Sequence, residues 1–327
     1  MSRLADKETV RRAILGAAVG DAFGVPYEGM PRQAAETQVP DTMRGWKRHL
    51  MPKGIWSDDT AMLLATADGI GNGLHAVEKN YVAWFLRGKY MPPGILAYDI
   101  GRTTRQGLMR VIRHKRPTGD TDESASGNGS LMRILPAAVY LQAEPDVGIR
   151  RRVIRAVSSV THASETSVEG CVLYCELARI LLAGGRLDEA YREAASLAES
   201  DHIETYARFA EGHIPDLPRE DVHSDGYVVS TLEAAVWCLF RGAEAEQHGS
   251  DPFLATVRTA VGLGFDTDTT ACVAGGLAGI LWPVTPDLAD SLKGQKVLQT
   301  ISARFADSIP ETPVPIEKAW RETGSRN

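Results

Sequence analysis

The sequence has few cysteines and no long apolar run, and each shortage excludes a class of protein. Its four cysteines, in a chain of 327 residues, all lie in apolar segments, which favours buried reduced thiols over a disulfide framework or a zinc site. The longest apolar stretch, residues 271–283, is too short to span a bilayer. The polar N-terminal segment lacks the apolar core of a signal peptide. We therefore expect a cytoplasmic protein that does not insert into a membrane.

The chain also lacks an excess of positive charge, which argues against a nucleic-acid-binding protein. The chain has 36 Lys and Arg against 42 Asp and Glu, a net charge of −6, and an acidic surface repels a phosphate backbone. Aromatic residues make up only 7% of the chain, so composition gives no sign of a groove on which bases stack. The hydrophobic content of 43% and charged content of 24% are typical of a folded globular protein.

Helical periodicity predicts an all-α fold. In residues 8–24 the apolar side chains recur at helical intervals, and Gly16, Gly20 and Gly24 share one face. Because each glycine destabilises a helix by about 1 kcal/mol, three in register predict that another backbone packs closely there. Similar patterns recur at 60–70, 148–160, 166–183, 187–199, 228–243, 252–263 and 269–282. We expect residues 1–327 to form a single multi-helix domain, with the stretch from about residue 311 loosely packed.

Clusters of glycine, proline and polar residues predict loops over residues 26–54, 88–94, 116–129 and 214–226. The loop that begins at residue 116 is long, acidic and rich in glycine. Loops of this length are typically functional or disordered.

Two acidic clusters each precede an apolar helical run. The first contains Ser57, Asp58 and Asp59, and the second runs from Asp266 to Thr270. One interpretation is helix capping, in which such side chains accept hydrogen bonds from free backbone N–H groups. The other is a site for divalent cations, which prefer several oxygen ligands. One cap needs a single side chain and each cluster offers more, but the spacing alone leaves both interpretations open.

Two other segments are weaker signals when taken singly. Residues 126–133 place glycines before a helix start, where backbone N–H groups can face an anion, but a flexible loop entering a helix has the same composition. Glu28 follows a Gly-Val-Pro helix terminator and on its own is typical of a solvated loop carboxylate.

Together these segments resemble the ADP-ribosylglycohydrolase family. The resemblance rests on six segments in the family's order, which span most of the chain: GAAVGDAFGVPYE at 16–28, IWSDDTAM at 55–62, DIGRTTRQGL at 99–108, SGNGSLMRILPAA at 126–138, THASETSVEG at 161–170 and GFDTDTTACVAGGLAGILW at 264–282. It implies a compact all-α fold with a binuclear metal cleft, in which two Mg²⁺ or Mn²⁺ ions help to bind ADP-ribose.

The resemblance also implies roles for individual positions. The implied metal ligands are Ser57, Asp58, Asp59, Asp266, Asp268 and Thr269. Family members often have Thr in place of Ser57, and Gly or Asn in place of Phe265, so the loop before Asp266 departs from the pattern. The implied substrate-binding residues are Ser126, Gly127, Asn128, Gly129, Ser130 and His162, and the implied catalytic residues are Glu28, Asp59 and Asp99. A core role for His162 is the alternative.

The resemblance implies a hydrolase that removes ADP-ribose from modified proteins. Because a carboxylate can bind a planar guanidinium through two hydrogen bonds, Asp99 favours arginine over serine as the modified residue. One alternative is a protein that binds ADP-ribose, or an immunity protein that neutralises an ADP-ribosylating toxin by contact. Another is a hydrolase of a serine or O-acetyl linkage. The expected partners are ADP-ribose and an ADP-ribosylated protein, with a cognate ADP-ribosyltransferase or its target as a further candidate. An isoprenoid synthase is disfavoured because Met62 and Leu63 follow the first acidic pair on its helix.

Overall fold

The computed structural model describes residues 4–45, 51–114, 119–200, 204–313 and 320. Within these ranges the chain forms α-helices joined by loops and short 3₁₀ turns, and it contains no β-strand. The helices are α1 (Lys7–Gly24), α2 (Arg32–Gln38), α3 (Asp58–Gly69), α4 (Leu74–Arg87), α5 (Arg102–His114), α6 (Leu135–Tyr140), α7 (Val147–Ser158), α8 (Glu165–Leu182), α9 (Leu187–Ser200), α10 (Ala207–Ala210), α11 (Val228–Gln247), α12 (Pro252–Gly262), α13 (Thr267–Leu281), α14 (Pro286–Ser291) and α15 (Gln295–Asp307). The predicted all-α fold is confirmed.

Helices α1 and α13 pack backbone to backbone at the centre of the fold. A Cβ atom added to Gly20 would lie 2.0 Å from the carbonyl oxygen of Ala271, and one added to Gly16 would lie 2.3 Å from that of Gly275. At Gly24 the added atom would lie 2.4 Å from the Cα of Asp268. The close approach predicted from the glycine spacing is therefore confirmed, and it brings the end of α1 against the acidic start of α13.

The predicted helical segments did not include α4, α5, α6, α10, α14 or α15, and the predicted loop over 26–54 is wrong at α2. That helix contains Ala34 and Ala35, strong helix formers, and Ala35 is buried against the rest of the protein. The loop that begins at residue 116 is described from residue 119 onward. It contains one 3₁₀ turn, Glu123–Ala125, and its glycine-rich end passes beside the site described below.

A continuous apolar core joins the long helices. All four cysteines are buried and reduced, as predicted from their apolar surroundings. Trp320 also lies in this core, whereas residues 314–319 and 321–327 of the stretch predicted to pack loosely fall outside the described residues. None of the helices in the described ranges has both the length and the apolar character needed to cross a membrane. The cytoplasmic location and the domain bounds 1–327 stay predictions.

Candidate active site

A cleft of about 530 Å³ opens where the end of α1 meets the starts of α3, α5 and α13. Its walls are formed by residues 28–29, 58–59, 99–104, 127–129, 132, 162, 225–226, 265–266 and 268–269. The structure therefore brings all the predicted segments to one place. Of the predicted site residues, Ser57, Ser126 and Ser130 do not line the cleft.

The start of α3 is capped without the use of its two aspartates. The Ser57 hydroxyl accepts a hydrogen bond from the backbone N–H of Asp59 at 3.2 Å. The carboxylate of Asp21, reaching across from α1, accepts bonds from the backbone N–H groups of Ser57 and Thr60 and from the Thr60 hydroxyl. Because Ser57 and Asp21 satisfy these donors, the carboxylates of Asp58 and Asp59 are not needed as caps. Asp59 Oδ2 is buried and has no hydrogen-bond partner.

The start of α13 also presents its acidic groups to the cleft. Asp266 occupies the N-cap position but its side chain does not cap the helix; instead its Oδ2 accepts a hydrogen bond from Asn128 Nδ2 at 2.7 Å. The Thr269 hydroxyl lies 3.4 Å from Asp59 Oδ1, which joins the two helix starts. The acidic clusters, far apart in sequence, are thus in direct contact.

Carboxylates from the two helix starts and their neighbours form two groups that share Asp268. Oxygen atoms of Asp21, Asp59 and Asp268 lie within 4.8 Å of one another, and so do oxygen atoms of Glu28, Asp99 and Asp268. All of these donors are hard carboxylate oxygens of the kind that Mg²⁺ and Mn²⁺ prefer. With the partnerless Asp59 Oδ2, this donor set fits a divalent-cation site.

Close packing of carboxylates in a buried place disfavours their ionised forms. Burial is the largest cause of the raised pKa of Asp58, Asp59 and Asp268, and neighbouring carboxylates add to it. Burial also raises the pKa of Asp21 to about 6, against the opposing effect of its hydrogen bonds. Such a cluster favours an added positive charge, because a cation would offset the repulsion.

Glu28 and Asp99 form a pair at one end of the cleft. Burial, then the charges of Asp99 and Asp266 and a hydrogen bond with Asp99, raises the pKa of Glu28 to about 8. Asp99 adopts a left-handed backbone conformation, with φ of 56°. The pair can therefore hold a proton near neutral pH, a property suited to general acid–base chemistry.

The glycine-rich segment forms another part of the cleft wall. A Cβ atom at Gly129 would lie 2.7 Å from Cε1 of His162, so this position has no room for a side chain. Asn128 is fixed by bonds from its Nδ2 to Thr231 and Asp266. The hydroxyl of Ser126 contacts Glu123 and Ser164, and that of Ser130 contacts Cys171. Both serines are therefore held on the side of the segment away from the cleft.

His162 lines the cleft as a neutral ring. Burial, together with the nearby Arg133 cation, lowers the pKa of His162 to about 3. Arg133 donates a hydrogen bond to the Thr161 hydroxyl, which in turn lies 2.8 Å from His162 Nδ1. If the hydroxyl proton is directed to Nδ1, the ring proton is on Nε2; we assign this tautomer from the hydrogen-bond network.

Sequence reasoning assigned no role in the site to several residues that form it, among them Asp21 and Phe265. Asp21 lies in the GDAFG segment, but its contact with α3 depends on tertiary packing and no local pattern signals it. Phe265 lines the cleft at 48% exposure and adopts φ of 56°. The left-handed loop conformation that suits Gly or Asn is therefore kept here by a phenylalanine.

Comparisons with known proteins find relatives over most of the chain. The sequence model described as ADP-ribosylglycohydrolase matches residues 2–313. The ADP-ribosylarginine hydrolase Tri1 of Pseudomonas putida (strain GB-1) is 29% identical over 312 residues, which cover 93% of this chain and 79% of that protein. The ADP-ribosyl-dinitrogen reductase glycohydrolase of Rhodospirillum rubrum is 29% identical over 284 residues, 83% of this chain and 85% of that protein. A solved structure described as an ADP-ribosylglycohydrolase-related protein complex superposes with a TM-score of 0.75 at 26% identity, over 93% of this chain and 99% of that one.

Proposed function

Because the chain belongs to the ADP-ribosylglycohydrolase family, we propose that it is a metal-dependent hydrolase that cleaves the N-glycosidic bond of mono-ADP-ribosyl-arginine in modified proteins. The observation that carries this proposal is the convergence of carboxylates from α3 and α13 with Glu28 and Asp99 in one cleft. The similarity to a protein named as an ADP-ribosylarginine hydrolase supports arginine as the linkage.

Two Mg²⁺ or Mn²⁺ ions would be held by Asp58 and Asp59 at the start of α3 and by Asp266, Asp268 and Thr269 at the start of α13, with Ser57 as a further predicted ligand. When bound, the ions would offset the carboxylate charge and polarise the hydroxyl groups of the ribose. Asp21 has another role in this proposal. Its oxygens accept hydrogen bonds from the start of α3, so it holds Asp58 and Asp59 in place.

ADP-ribose would lie along the glycine-rich wall. The N–H groups of Ser126 and Asn128 already donate to the carbonyls of Glu123 and Gly226. The absence of side chains at Gly127 and Gly129 lets the pyrophosphate approach the other backbone N–H groups in the segment from Ser126 to Ser130. The Nε2–H of a neutral His162 supplies a further donor without adding a charge. Asn128, fixed by Asp266, links this wall to the acidic end, where the distal ribose would sit.

Hydrolysis breaks the bond between C1″ and the guanidinium nitrogen and joins a water oxygen to C1″. One proton of that water replaces the ribose on the nitrogen, so the products are ADP-ribose and arginine with no change in total charge. The reaction develops oxocarbenium character at C1″. Glu28 and Asp99, whose carboxyl oxygens lie close together, are the groups we propose to move it, and the Asp99 carboxylate also orients the guanidinium. Asp59, on the neighbouring wall, stabilises the positive charge that develops.

The test is release of free ADP-ribose from an arginine-linked protein and from a serine-linked one, each with Mg²⁺, with Mn²⁺ and with EDTA. We expect release from arginine only, and its loss in EDTA. Release from serine alone would overturn the arginine assignment and leave the metal site standing. No release from either substrate, with ADP-ribose still bound, would favour an ADP-ribose-binding or immunity protein. That protein should keep its partner affinity in EDTA.

A further inference from the structure

Phe265 has an unusual backbone conformation for its residue type. Among the described residues the non-glycine residues with positive φ are Tyr90, Asp99 and Phe265, and the latter two line the cleft. A bulky side chain disfavours this conformation because its Cβ crowds the neighbouring carbonyl oxygen. Residues held in such conformations are concentrated at functional sites.

The backbone of Phe265 is fixed from both sides. Its N–H donates to the carbonyl of Met30 at 2.8 Å, and its carbonyl accepts from the N–H of Gly29 at 2.7 Å. These two bonds attach the loop before α13 to the residues directly after Glu28. Glycine could make the same bonds at the same φ without the steric cost. The conformation of the loop therefore does not explain the aromatic ring.

Packing does not explain the ring either. The side chain of Phe265 is 48% exposed, so about half of its surface faces solvent rather than the core. It is also one of few large apolar side chains in the described ranges with this much exposure, and of these it is the one that lines the cleft. A half-exposed ring at the rim of a site is available to contact a bound molecule.

The charged groups that line the cleft indicate which kind of bound molecule the Phe265 ring would contact. Glu28, Asp99, Asp225 and Asp266 line the same cleft as Phe265, and Arg102 lines it too. Acidic groups therefore outnumber basic ones in the cleft, which favours a cation. A guanidinium is planar and cationic, and it stacks on an aromatic face while its edge binds carboxylates. An ammonium ion cannot stack in this way, and a serine hydroxyl offers no cation.

We propose that Phe265 is a specificity-determining residue that stacks on the guanidinium of the ADP-ribosylated arginine, while Asp99 binds the edge of the same group. This inference rests on the proposed function and deepens it. In this proposal the ring of Phe265 contacts the arginine, which is the leaving group, and does not contact ADP-ribose. Removing the ring should therefore weaken recognition of the arginine conjugate and leave the affinity for free ADP-ribose in place.

The experiment compares Phe265→Gly, which removes the ring and relieves the backbone, with Phe265→Tyr, which keeps a ring. Leu86→Ala is a matched control, because it removes an exposed apolar side chain of α4 outside the cleft. We expect Phe265→Gly to raise KM for an arginine-linked substrate by about fivefold. Phe265→Tyr should recover most of this difference, and the Kd for ADP-ribose measured by calorimetry should change less than twofold.

Two results would overturn the assignment. An unchanged KM in Phe265→Gly would mean that the ring does not contact the substrate. An equal loss of affinity for ADP-ribose would place the ring on ADP-ribose itself. If the wild-type protein cleaves no conjugate, the proposed function fails, and calorimetry with ADP-ribosyl-arginine against ADP-ribose then decides the role of Phe265. A selective loss for the arginine conjugate in Phe265→Gly supports stacking, and an equal loss or none refutes it.

Discussion

The buried carboxylate of Asp21 accepts hydrogen bonds from both the backbone N–H and the hydroxyl of Thr60, at 2.9 and 2.5 Å. The two residues belong to different helices, and the same carboxylate also accepts from the backbone N–H of Ser57. A single side chain of α1 therefore satisfies two backbone donors at the start of α3, and the Ser57 hydroxyl satisfies that of Asp59. This frees Asp58 and Asp59, which follow Ser57, to face the cleft.

Replacing Asp21 with alanine should destabilise the protein more than removing an ordinary cap. Asp21→Ala leaves the buried N–H groups of Ser57 and Thr60 without acceptors, at an expected cost of about 2 kcal/mol or more in the free energy of unfolding. The matched control is Asp6→Ala, which removes the exposed N-cap of α1 and should cost about 1 kcal/mol. Urea denaturation in excess Mg²⁺ measures both. Equal losses would show that the Asp21 contacts stabilise no more than a surface cap.

The contact between α1 and α13 predicts an unusually large effect of a small substitution. In Gly20→Ala the new methyl group would lie 2.0 Å from the carbonyl oxygen of Ala271. The helices must therefore separate, at about 3 kcal/mol of stability or more. Gly148→Ala in the exposed first turn of α7 is the control, because its nearest neighbour would be a side-chain oxygen of Asp146 at 3.1 Å. Thermal unfolding should show a large fall for the first variant and little change for the second.

The sequence predicted the elements of the site better than their orientation. Periodicity located the acidic helix starts, and the glycine spacing of α1 predicted a close neighbour. The sequence could not show that Ser126 and Ser130 turn away from the cleft. Their orientation depends on contacts with Ser164, the N-cap of α8, and with Cys171 in α8. The role of Asp21 was missed for the same reason, since its partners lie in another helix.

The composition of α5 also made this helix difficult to predict from the sequence. In α5 the polar residues greatly outnumber the apolar ones, so its narrow buried face of Thr104, Gly107, Leu108 and Val111 is a weak signal in sequence. The conformation of Phe265 is a different case. Phenylalanine carries no preference for positive φ, so its residue type does not signal the conformation that the bonds to Gly29 and Met30 hold.

Asp268 belongs to both carboxylate groups, so its replacement should abolish catalysis without lowering the stability of the metal-free protein. Asp268→Asn should abolish metal-dependent turnover. The metal-free protein should unfold at an equal or higher temperature, because one repelling charge is removed. Asp287→Ala, an exposed position on α14, is the control and should change neither quantity. Near-normal hydrolysis by Asp268→Asn would contradict the proposed two-metal site.

Removal of divalent cations should make stability depend on pH. The pKa of Asp21 is raised to about 6 and that of Glu28 to about 8, mainly by burial. Because the unfolded chain ionises at lower pH, it loses these protons first. The free energy of unfolding therefore falls as pH rises from about 4 to about 8. A bound cation should reduce this fall by stabilising the ionised carboxylates.

Thermal unfolding at about pH 5 and about pH 8.5, in EDTA and in Mg²⁺, measures this effect. In EDTA the Tm should drop between the two pH values, and Mg²⁺ should restore most of the loss at the higher pH. The same measurements on Asp268→Asn provide a control, since one of the interacting carboxyl groups is then neutral. Parallel pH profiles with and without Mg²⁺ would show that these carboxylates do not bind the cation.

Replacing Asp99 with asparagine should impair hydrolysis of the arginine conjugate without weakening the binding of ADP-ribose. Asp99→Asn keeps the size of the side chain, and asparagine tolerates the φ of 56° found at this position, so the backbone should be retained. The change removes the negative charge that faces the guanidinium. We expect kcat/KM for arginine-linked ADP-ribose to fall by about tenfold or more. The Kd for ADP-ribose should change little, because that ligand carries no guanidinium.

The control is Asp225→Asn, which changes another acidic residue of the cleft wall. Measuring kcat/KM and Kd for both variants separates a specific contact of Asp99 from a general loss of negative charge. If the two variants fall equally, the cleft attracts cations by its overall charge and Asp99 has no special part in choosing arginine.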